Sequence, residues 1–190
     1  QGNVPSWFSS LLILFNACLL FVAWSYAKSR RSAYTYHWLI LAIIFTFLSI
    51  DEVSSTHTYL VEPVSRTLNT GGKLYLAWVI PYGLFALVVG ISYIRFLFSL
   101  PKRQGLGFFL AGAVYVFAAA GMELIESPLE EVGDVFNMYY ATLASIEESL
   151  EMIGMTIFNY ALLDHLRANS NSVVFFHEDE LTEPEIETSS

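Results

Sequence analysis

The chain has 190 residues, of which 55% are hydrophobic and only 14% charged, with a net charge of −9. A soluble domain carries about 25% charged residues, so the composition excludes an ordinary soluble globule. The negative charge, with no basic stripe, argues against nucleic acid as a partner. The lipid bilayer is the partner this composition calls for.

Four runs carry no charge: 7–27, 38–50, 74–94 and 104–122. Three of them reach the roughly 20 residues that a spanning helix needs. The second reaches that length only by continuing through Asp51 and Glu52 to about Leu60. A fifth segment, 136–166, spans only if it takes Glu147, Glu148 and Glu151 inside. The expected fold is an all-α integral membrane bundle of about five transmembrane helices, or four if the polar second or fifth segment does not cross. Residues 1–168 would form the bundle and 169–190 an acidic cytoplasmic tail.

The first run is too long and too weakly flanked for a signal peptide and reads as a retained helix. Its Cys18 is the lone cysteine, which rules out an intrachain disulfide and suggests a small packing residue. Asn16 there and Asn159 in the fifth segment are expected to hydrogen-bond between helices. Ahead of the third run, Asn69, Gly71 and Gly72 mark a turn; within it, Pro81 should kink the helix or free a carbonyl. Gly107, Ala111 and Gly112, then Ala118, Ala119 and Ala120, make the fourth run small-sided, so that helices can approach closely. Ser127-Pro128 favours a fresh helical turn after it. The tail has six acids and neither Lys nor Arg. It would be disordered alone and suits contact with a partner.

Basic residues set the orientation. Lys28, Arg30, Arg31, Arg95, Lys102, Arg103 and Arg167 fall on one side, against Arg66 and Lys73 on the other. The positive-inside rule then puts the N-terminus outside and the C-terminus in the cytoplasm. A bacterial inner or plasma membrane fits this pattern. Aromatic residues, among them Trp7, Tyr59, Trp78 and Tyr139 outside and Trp24, Tyr36 and Trp38 inside, read as interfacial belts.

Depth and spacing single out the acids. At about 1.5 Å per residue, Glu147 to Glu151 fall roughly 12–18 Å below an outer boundary near Tyr139, and Asp51 and Glu52 roughly 12–14 Å below one near Leu60. Glu123 and Glu126 close the fourth run on the same side. Glu123/Glu126 and Glu148/Glu151 are three apart and Glu147/Glu151 four apart, spacings that put each set on one helix face. His57 lies about 120° from Asp51 on an ideal helix and joins the acids only if the helix bends or unwinds.

Each acid at mid-membrane costs ~2.5–3.5 kcal/mol unless it is neutralised, hydrated or buried in protein. The expected metal ligands are therefore Asp51, Glu52, His57, Glu123, Glu126, Glu147, Glu148 and Glu151. Acid-rich donors with a single histidine favour Ca²⁺, Mg²⁺ or Mn²⁺; iron fits less well and zinc least. The expected function is divalent-cation binding by a small accessory subunit of a larger membrane complex. Proton or cation translocation is the alternative from another class, and a di-metal oxidoreductase or hydrolase the bolder one. No His-Glu-x-x-His, Gly-x-Ser-x-Gly, Cys-x-x-Cys or phosphate loop supports other chemistry.

Overall fold

The computed structural model describes residues 4–133 and 137–169. The tail and its expected partner contact lie outside the described residues. Seven α-helices follow in order: α1 (Val4–Ser29), α2 (Thr35–Ser54), α3 (Val61–Leu68), α4 (Val79–Ser99), α5 (Lys102–Val116), α6 (Glu123–Glu131) and α7 (Met138–Asn169). A π-helical segment, Phe117–Met122, joins α5 to α6 without a break. There is no strand among the described residues. Four helices are long and apolar enough to cross a membrane: α1, α2, α4 and the continuous 102–131. The 32-residue α7 is longer than any of these but more polar.

Helices α1 and α2 pair along their length, as do α5 and α7, and α1 against α7 joins the two pairs. Small residues allow the first contact: Ala17, Ala23 and Ala27 share a buried face of α1 with Ile13 and Leu20. Opposite them are Trp38, Ala42 and Phe45 of α2. Ser10 and Ser49 bond each other's backbone carbonyls at 2.8 and 3.0 Å. Asn16 donates to the Met155 carbonyl at 3.1 Å and accepts from Asn159 at 3.0 Å, so the two asparagines do bridge α1 and α7. Such bonds hold helices together where apolar surface alone cannot distinguish protein from lipid.

The small face of α5 lets α7 come close. A methyl placed on Gly107 would stand 2.9 Å from the Ala161 Cβ, and one on Gly154 would stand 3.0 Å from the Tyr115 nitrogen and 3.2 Å from the Ala111 carbonyl. Helix α4 is peripheral, with only 11% of its apolar window buried. Leu84, Phe85, Leu87, Val88 and Ile91 all face outward.

Several expectations change. Cys18 is exposed on the outer face of α1, because Ala17 and Leu20 take the packed positions. Trp38 and Trp78 are core residues, not belt residues, each drawn inward by aromatic partners. Pro81 neither kinks α4 nor frees a carbonyl: it is the third residue of a helix that starts at Val79, where an N–H has no intrahelical acceptor to lose. Helix α6 runs through Pro128 and does not restart there. The turn residues Asn69 and Gly72 do take positive φ, 52° and 58°.

The tight α5–α7 contact yields a paired test. Gly154→Ala must push backbone atoms apart and should cost about 1–3 kcal/mol, lowering the unfolding temperature in detergent. Gly112→Ala, whose added methyl meets nothing within 4 Å, should leave that temperature unchanged or raise it. Equal behaviour of the two variants would contradict the packing.

Candidate functional site

The second run does not continue as a helix to Leu60. Ser55 turns left-handed at φ 50° and its N–H bonds the Asp51 carbonyl at 2.7 Å, which ends α2 at Ser54. A short 3-10 turn, Thr56–Leu60, follows. This reversal folds His57 back onto Asp51. The backbone N–H of His57 donates to Asp51 Oδ1 at 2.9 Å, and its Nδ1 lies 3.0 Å from Oδ2. The Tyr82 hydroxyl of α4 also bonds the Asp51 side chain. The imidazole rests against Trp78, with ring centroids 4.5 Å apart. A helix that unwinds after Ser54 thus places His57 beside Asp51.

Helix α6 uses two faces. Glu123, Ser127 and Glu131, spaced by four, meet the irregular segment between α3 and α4. Glu131 accepts the Gly72 N–H at 2.7 Å, Ser127 Oγ accepts the Leu76 N–H at 2.7 Å, and Glu123 bonds the Trp78 side chain. Ser127 is fully buried. These bonds explain why residues 75–78, expected to lie in the third span, are not helical. The Leu76 N–H is satisfied from α6, and those of Tyr75 and Ala77 by local bonds to the Gly72 and Tyr75 carbonyls. The second face carries Glu126 and Glu130 towards α7. Tyr140 donates to Glu130 Oε1 at 2.6 Å, and the carboxyl groups of Glu126 and Glu147 meet within hydrogen-bonding reach. Glu123 sits at the seam of the two faces, since it is also an ionisable neighbour of Glu147 and Glu151.

Helix α7 turns Glu151 inward, 8% exposed, among Glu52, Glu148 and Glu123. Glu52 in turn has His57, Glu148 and Asp51 as its ionisable neighbours. The acids of α2, α6 and α7 therefore form one continuous neighbourhood. Of Asp51, Glu52, Glu123, Glu126, Glu147 and Glu151, none is ion-paired to Lys or Arg among the described residues. Glu126 is only 3% exposed, and its Oε1 has no hydrogen-bond partner among the described residues. The groups meet in pairs: among the described residues no three His, Cys, Asp or Glu side chains converge tightly enough to chelate an ion as they stand.

Sequence reasoning missed Glu130, Trp78, Tyr82, Tyr115 and Tyr140 as members of this neighbourhood. Glu126 and Glu130 are four apart, a spacing that could have revealed Glu130. Tyr115 of α5 faces Glu151, Glu52 and Asp51 from the middle of an apolar run. No pattern in the sequence marks it out from a packing tyrosine.

Fold and site together define an all-helical protein, with helices apolar enough to cross a membrane, that gathers acidic side chains from three helices in its interior. The chain belongs to a family described as a domain of unknown function, DUF8692, which matches residues 1–166. No curated protein and no solved structure matches it.

Asp51 should hold the turn at its own helix end. Asp51→Ala removes acceptors for the His57 backbone, the His57 ring and Tyr82, and hydrogen bonds to charged groups contribute about 1.5–3 kcal/mol each. Amide exchange over residues 55–60 should accelerate about tenfold or more. Unchanged exchange there would show that the turn stands without Asp51.

Proposed function

We propose that this protein is a small polytopic membrane protein whose acidic cluster binds a divalent cation, and that it serves as an accessory subunit of a larger membrane complex. The observation that carries the reading is the meeting of Glu126 with the half-buried Glu147, with the buried Glu126 Oε1 unpartnered among the described residues. Two carboxyl groups cannot meet as bare carboxylates in a low-dielectric interior. They must share a proton or a cation. A shared proton satisfies the contact and still leaves Glu126 Oε1 without a donor. A hard cation can take oxygens from both residues, and small rotations of Glu123 or Glu151 would complete its shell.

The donor set favours Ca²⁺, Mg²⁺ or Mn²⁺. Asp51 and His57 are the least available of the expected ligands, because each already holds the other. Glu52, Glu123, Glu126, Glu147, Glu148 and Glu151 form the working set.

In this reading α7 is a fifth span. At about 1.5 Å per residue it is roughly 48 Å long, more than a bilayer core requires. Its outward hydroxyls support the assignment: Thr142, Ser145, Ser149 and Thr156 each donate to the carbonyl four residues back, at 2.6 to 2.8 Å. Hydroxyls satisfied in this way can face lipid. The bias of basic residues puts the N-terminus outside and the C-terminus in the cytoplasm of a bacterial inner or plasma membrane. The largely uncovered α4 leaves a long apolar surface for lipid or another membrane subunit.

The continuity of acids from Asp51 to Glu130 favours a second reading, a path along which protons or cations pass. It requires ion movement in reconstituted liposomes that Glu147→Gln abolishes.

Elemental analysis of purified protein tests the first reading. The native chain should carry stoichiometric divalent metal, and Glu126→Gln/Glu147→Gln should fall to background while keeping its helical circular dichroism. Equal, near-zero metal in both would refute cation binding.

A further inference from the structure

The opposite end of the bundle carries a second polar feature, independent of the acids. Between the end of α1 and the start of α2 lies a cavity of about 300 Å³ lined by Trp24, Lys28, Arg31, Ser32, Thr35 and Tyr36. Lys28 is held over the Trp24 ring, 5.1 Å from its centroid. Among the described residues neither Lys28 nor Arg31 is paired with a carboxylate.

The backbone here points to a purpose for the charge. The Arg31 N–H bonds the Lys28 carbonyl at 3.1 Å and the Ser32 N–H bonds the Ala27 carbonyl at 3.0 Å, closing α1. Arg31 itself takes φ 53°. Helices that end this way usually place glycine at such a left-handed residue. An arginine there accepts backbone strain and projects a cation over the cavity. Ser32 Oγ accepts the Tyr34 N–H at 3.3 Å, which leaves its own proton to donate. The next helix, α2, begins at Thr35 with no side chain capping its N-terminus. Two cations without a carboxylate partner among the described residues, a hydroxyl and a positive helix end thus line one cavity, with Trp24 and Tyr36 beside them.

We infer that this cavity binds a phosphate group, of the kind that an anionic phospholipid headgroup or free phosphate presents. Basic pockets between helix ends on the cytoplasmic side suit such headgroups, and the flanking aromatic rings suit the level of the membrane interface. Arg30, one residue away, faces a different cavity of about 340 Å³ that it shares with Tyr26 and His165. It therefore serves as an internal control for bulk surface charge.

The test is native mass spectrometry of the full chain in mild detergent, titrated with phosphatidylglycerol or phosphatidylcholine. Lys28→Gln/Arg31→Gly should weaken phosphatidylglycerol binding about thirty-fold, two cations at about a factor of five each. Arg31→Gly is chosen because glycine suits the left-handed turn, so the variant keeps its fold. Arg30→Gln should leave binding nearly unchanged, and phosphatidylcholine should bind weakly to every form. Added inorganic phosphate separates the sources: displacement of phosphatidylglycerol assigns the cavity to free phosphate, and its persistence assigns it to the lipid headgroup. Equal phosphatidylglycerol retention by the native and double-variant chains, or the same loss from Arg30→Gln as from Arg31→Gly, would overturn the inference.

Discussion

An ionised carboxylate against hydrocarbon costs ~2.5–3.5 kcal/mol even on the more lenient insertion scales, and this bundle carries acids on three of its helices. Its irregularities fall where those acids acquire partners. Helix α2 stops at Ser54 and folds back so that His57 can meet Asp51. Residues 74–78 stay out of α4 while the backbone of Leu76 and the indole of Trp78 bond α6. The π-helical turns at Phe117–Met122 come immediately before Glu123. Because π turns alter helical register, they set which faces the acids behind them present.

The acids consequently divide by task. Asp51, Glu130 and Glu131 are engaged by N–H or O–H donors and hold the turn after α2, the start of α7 and the segment after α3 in place. Glu126 and Glu147 are different: they face each other, and the buried Oε1 of Glu126 lacks a partner among the described residues. Structural acids explain the turns around the cluster, and Glu126 at its centre keeps one buried oxygen without a partner among the described residues. The bridges Ser10–Ser49 and Asn16–Asn159 give each of their buried polar groups a neighbour within 3.1 Å, whereas His37 Nδ1 and Thr70 Oγ1, like Glu126 Oε1, are buried without one among the described residues.

Helix existence was readable from charge-free runs, since length and hydropathy alone decide which segments can be apolar helices. Helix ends were not. Whether α2 continued past Ser54 depended on a left-handed Ser55, a conformation that serine does not advertise. Where α4 began depended on Ser127 and Glu123, some fifty residues later in the chain, so no local window contained the cause. Spacing put Glu123 and Glu126 on one α6 face, and the fold shows Glu123 at a seam with Trp78 on one side and α7 on the other. The small face of α5 and the asparagine bridge were legible because close approach and buried amides have few alternative uses inside a bundle. Trp38 and Trp78 were misplaced for the converse reason: tryptophan suits both an interface and a core.

The claim on which this reading depends is that α6 and α7 hold their acids face to face inside the folded bundle. Disulfide trapping of Glu126→Cys/Glu147→Cys in a Cys18→Ser background, oxidised mildly in native membranes, tests it most directly. Both thiols should disappear together into one intrachain bond, as side chains in contact require. Two thiols that stay freely titratable after oxidation would contradict the arrangement of the site.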